Sequence, residues 1–140
     1  MRYFSWLVFC GLAWGAVSLG LLDYVTPTAT MLASVATALV VGYAQRRELR
    51  QAKGSTWYVL PLLSVLIAMA TYGVLEPAAE WLVGGKTWNS DRVEISAFWG
   101  YPLGFVWYGL TIFIWLTYPL ALATHFLLRK FALPTTVRPA

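Results

Sequence analysis

Residues 45–53 read Gln45-Arg46-Arg47-Glu48-Leu49-Arg50-Gln51-Ala52-Lys53, and four of these nine side chains are basic. The stretch separates two uncharged apolar runs, about Pro27 to Ala44 before it and about Thr56 to Leu75 after it. Cytoplasmic loops of membrane proteins carry the excess of Lys and Arg. The stretch therefore reads as an inner loop between two transmembrane helices, continuing the first of them for a turn or two until Gly54 and Ser55 stop it.

Working outward, two more uncharged or nearly uncharged runs appear, at about 3–22 and 98–128. If the loop at 45–53 is inside, Arg2, Arg129, Lys130 and Arg138 fall on the same side, which then holds eight of the ten basic residues. The opposite side holds Asp23, Glu76, Glu80, Asp91 and Glu94, five of the six acids. The basic residues set the orientation, because acids contribute little to that rule. The expected fold is an all-α integral membrane protein. Its single domain has four transmembrane helices, over about 3–22, 27–44, 56–75 and 98–128, and a cytoplasmic tail at 129–140. Both termini lie inside, and the membrane is the cell (cytoplasmic) membrane.

Twenty helical residues reach about 30 Å, the thickness of a hydrocarbon core. The run at 3–22 is longer than a signal-peptide core and lacks a small-x-small cleavage site, so it reads as a retained anchor. Thr26 and Pro27 have the form of an N-cap and a first-turn proline. Pro77 to Leu82 is expected as a short interfacial segment on the outer surface. Asp91-x-x-Glu94 resembles a capping box for the fourth helix. Bends are expected at Pro102 and Pro119.

Composition supports the membrane class. Of 140 residues, 59% are hydrophobic and 11% charged, against about 25% charged in soluble domains. The net charge of +4 belongs to juxtamembrane positions, where anionic headgroups account for it. Nucleic acid is not an expected partner. The single cysteine, Cys10, excludes an intrachain disulfide, and the single histidine, His125, cannot supply two haem ligands. No cofactor or metal is expected. His125 reads as an interfacial side chain beside Arg129.

Small residues four apart let helices approach closely. Gly11 and Gly15 have this spacing, as do Ser34, Ala38 and Gly42, and again Gly100 and Gly104. They are the helix-packing candidates, for internal packing or for a partner's helix. Tyr101, Tyr108 and Trp115 are spaced by seven and share a helix face, a candidate surface for a lipid or quinone. No Asp, Glu, Lys or Arg falls deep in an expected span, which argues against a proton-coupled pump. The chain is similar in size to the four-helix small multidrug transporters but lacks the acid their first helix needs.

Two functional expectations follow. The first is a non-catalytic accessory or assembly subunit of a larger membrane complex, for example a respiratory oxidase, with lipids and other transmembrane subunits as partners. The second is a small homo-oligomeric transporter or channel for a neutral solute or ion. An enzyme is not expected, since no nucleophile–base pair or metal set is visible in the sequence.

Overall fold

A computed structural model describes residues 2–21, 26–84, 102–104, 106–107 and 110–133. Every element among them is helical: α1 (Arg2–Leu21), α2 (Pro27–Ala44), α3 (Arg46–Gln51), α4 (Thr56–Gly84), α5 (Ile114–Leu127) and a π-helical turn at Leu128–Ala132. Three helices are long and apolar enough to cross a membrane, over Arg2–Gly20, Pro27–Ala44 and Thr56–Val83. The chain is a helical, multi-pass membrane protein by that measure.

α2 is the central element. It packs against α1 on one side and α4 on the other, α4 packs against α5, and the π-turn returns to α1. The last of these contacts closes the bundle. Trp6 stacks on Phe131 with ring centroids 5.6 Å apart, and Trp14 Nε1 donates to Thr124 Oγ1 at 3.2 Å.

The α2–α3 corner breaks the continuous helix expected through 45–53, and α3 ends at Gln51, before Gly54. Thr26 stands at the N-cap and Pro27 in the first turn of α2, although the Thr26 hydroxyl makes no capping bond. The helix ends at Gln45, and α3 begins one residue later. Gly54, at φ +55°, occupies the left-handed region that glycine enters without steric cost. α3 lies under the bundle as a lid. Its Leu49, with Ala52 just after it, is buried with Tyr3, Leu7, Cys10, Leu60 and Leu128 in the larger apolar core. Tyr3 is 4% exposed. Its hydroxyl donates to the Gly42 carbonyl at 2.7 Å, and the Arg46 guanidinium lies 5.0 Å above its ring.

α4 departs from expectation. It does not end at Leu75 but runs unbroken through Pro77 to Gly84. Pro77 removes one backbone bond, to the Gly73 carbonyl. Packing offsets that loss, because Ala79 joins Ala29, Ala33 and Tyr72 in a second buried cluster against the start of α2. The residues expected as a separate interfacial helix are thus the last turns of α4. A further consequence is that Glu76 lies within a span-length helix and is only 6% exposed.

The C-terminal helix also differs. Residues 102–104, 106–107 and 110–111 are helical, and the ladder is interrupted at 112–113 before α5 begins. Pro119 lies inside continuous α5. The interruption therefore falls between the two prolines. The hydroxyl of Thr111 bonds the Trp107 carbonyl at 2.7 Å just before it, a back-bond of the kind that bends helices. The outer connection, including Asp91 and Glu94, lies outside the described residues, as do Gly100, Tyr101, Tyr108 and the tail from 134.

Candidate functional site: a buried polar seam

Helical spacing brings polar side chains from three helices to one interior seam. On α2, Thr30, Ser34 and Thr37 follow one face, and all three are buried. Gln45 continues that face beyond the end of the helix and is buried too. On α4, Ser64, Tyr72 and Glu76 recur at multiples of four, and all three are buried. On α5, Thr117 and His125 flank Ala121 at the same spacing, and all are buried. Residues four apart lie on one helix face, which is why three separate helices can each commit a stripe to the seam.

The inner end of the seam is a hydrogen-bonded cluster. Ser64 Oγ donates to Gln45 Oε1 and is also 2.9 Å from the Leu60 carbonyl. His125 Nε2 lies 2.9 Å from the same oxygen. A serine hydroxyl has one proton to give and two lone pairs. The direction of the bond to His125 Nε2 follows the imidazole tautomer, and Nδ1 is buried without a hydrogen-bond partner.

Ser64 and His125 have the separation of a nucleophile–base pair, and with Gln45 they form a lock between elements. The lock ties the α2–α3 corner, α4 and α5 together. Polar side chains that bond across helices hold membrane bundles together in this way.

His125 is therefore an interior residue, not an interfacial one. Arg129 lies apart from it, over the Trp57 ring at 4.9 Å, with Nη1 donating to the Ala52 carbonyl at 2.9 Å. Nothing in the sequence marks Gln45, Ser64 and His125 as a set, since they come from three elements and share no spacing. The only signal was the solitary histidine.

The packing candidates divide. Gly11 and Gly15 of α1 face Ser34 and Ala38 of α2. A Cβ built on Gly11 would stand 2.6 Å from Val35 Cα, and one on Gly15 would stand 2.6 Å from Met31 Sδ. A Cβ on Gly42 would strike the Leu7 side chain. The two strips thus meet each other inside the bundle. Gly104 has nothing within 4 Å of an added Cβ, and Gly100 is outside the described residues. Of the aromatic face, Trp115 alone is described, and it turns outward, 74% exposed. Among the described residues, no group of three or more His, Cys, Asp or Glu side chains is placed to hold a metal ion.

No known protein family matches the sequence, and no curated protein or solved structure matches it either.

Proposed function

We propose that the chain is an accessory or assembly subunit of a larger membrane complex. In this reading it crosses the cell membrane four times, with both termini on the cytoplasmic side. The observation that carries it is the outward placement of tryptophan. Trp107 and Trp115 are 68% and 74% exposed. Along a helix, the fourteen positions from Trp115 to Arg129 span about 21 Å. Arg129 marks the inner boundary of a core about 30 Å thick, so Trp115 stands within the hydrocarbon.

Tryptophan belongs at the membrane interfaces, where its N–H finds an acceptor. Lipid tails offer none, and a polar group left unbonded in an apolar medium is costly. A partner helix laid over Trp115, and reaching Trp107 near the outer boundary, relieves that cost at Trp115. The Gln45–Ser64–His125 cluster fits this reading, because it ties three elements together and leaves the outer faces for a partner.

The test is a photo-crosslinking residue placed at position 115 in the native membrane. A discrete protein adduct is expected there, and none from the same residue at Leu32 on α2. Crosslinking to lipid alone at position 115 would remove the observation on which the proposal rests.

A second reading, the small homo-oligomeric transporter or channel, has one observation in its favour. Glu76 is buried at one end of the seam, inside a span-length helix, where ionisable residues accompany ion pathways. Purified protein in liposomes distinguishes the two. The subunit reading expects no proton or cation flux above empty vesicles under an imposed potential. Steady flux abolished by Glu76→Gln would favour the transporter.

A further inference from the structure

We propose that the α2–α3 corner is a binding site for the headgroup of an anionic phospholipid. Tyr43, Ala44, Arg46, Arg47, Arg50 and Gln51 line a recess at the surface there. At 100° per residue, Arg46, Arg47 and Arg50 share one side of α3, and Glu48 stands about 100° or more from each of them. The three positive charges therefore converge on the recess, with the one acid of α3 directed away. Leu49, about 60° round from Arg46 and about 160° from Arg47, anchors α3 in the core.

The recess is partly preorganised. Arg46 is held by its stacking over Tyr3, 5.0 Å from the ring centroid. Its Nε is buried and has no hydrogen-bond partner. Arginine presents a planar fork of donors that matches a phosphate oxygen pair. A phosphodiester placed in the recess would meet up to three such forks.

The surface beside it suits an acyl chain. Phe4 stacks on Tyr43 at 6.5 Å, and both are exposed. Val40 and Leu32 follow Tyr43 along α2, also exposed. The basic recess sits at the end of this apolar column, so the headgroup and the tail of one molecule have adjoining places. That adjacency favours a lipid over a free phosphate. Basic recesses at the membrane surface recognise anionic headgroups by this combination.

The test is native mass spectrometry of the delipidated full-length protein. It is titrated with phosphatidylglycerol or with phosphatidylcholine of identical chains. Preferential retention of phosphatidylglycerol is expected. The preference should fall by about fivefold for each arginine removed, the effect of one basic side chain beside an anionic surface. Arg47→Gln with Arg50→Gln is the first variant, because both side chains are exposed and leave the Arg46–Tyr3 stack intact. Arg46→Gln follows, and Lys130→Gln is the control that should keep the preference. Equal retention of the two lipids, or a preference unchanged in the double variant, would overturn the site. Displacement of phosphatidylglycerol by glycerol 3-phosphate at equal concentration would also overturn it, since the site would then recognise a free phosphate and make no use of the chain.

Discussion

Ser64 is tightly constrained, because one hydroxyl serves a glutamine, a histidine and its own helix backbone. Removing it leaves buried polar groups unpaired, which costs about 1–3 kcal/mol. Ser64→Ala should therefore lower unfolding stability in detergent by about that amount. Thr111→Ala should change it little, since that hydroxyl is exposed and bonds only its own helix. Equal effects would mean that the cluster does not lock the bundle. Gly11 provides a second test. Its missing Cβ is what lets α1 approach the α2 backbone, so Gly11→Ala should cost about 1–3 kcal/mol through overpacking. Gly20→Ala, with nothing within 4 Å, should be neutral or slightly stabilising by helix propensity. The glycine spacing was legible in the sequence because a groove is a local property of one helix. The Gln45–Ser64–His125 cluster was not, because it exists only once three elements are packed.

The third span was expected to end at about Leu75, with Pro77 to Leu82 as a separate interfacial segment, yet α4 continues through Pro77 to Gly84. A proline forfeits one backbone bond, and a packed face can outweigh that loss. The prediction belongs to this face. Ala79→Leu should destabilise the protein by about 1–3 kcal/mol, because Ala79 is buried against Ala29, Ala33 and Tyr72. Ala78→Leu, on the exposed side, should be tolerated. Similar tolerance of both would show residues 77–84 lying away from α2, as an independent surface helix would. The ends of α2 were easier to anticipate. Thr26 and Pro27 start it through local backbone geometry that no distant contact has to supply, whereas the segment that follows ends at Gln51, before the Gly54 expected to stop it.

At the scale of the whole molecule, the segregation of charge supports the proposed topology and the outward tryptophans support the proposed association. Reporter fusions at Lys53 and at Lys130 should both report cytoplasm, and one at Lys86 should report the outside. A cytoplasmic signal at Lys86 would reverse the orientation. The helical, membrane class was readable from the uncharged runs, since hydrocarbon tolerates few other sequences. The burial of Glu76 and His125 was not readable, because it depends on how far α4 extends and which face α5 turns inward. What remains is whether those outer faces meet a partner. The most direct measurement is purification of the full-length protein from its native membrane in mild detergent, followed by mass spectrometry of the intact particles. A stoichiometric complex with other transmembrane subunits is expected, losing them when Trp107 and Trp115 are both changed to Leu. A monomer or a homo-oligomer, unchanged by those substitutions, would contradict the account.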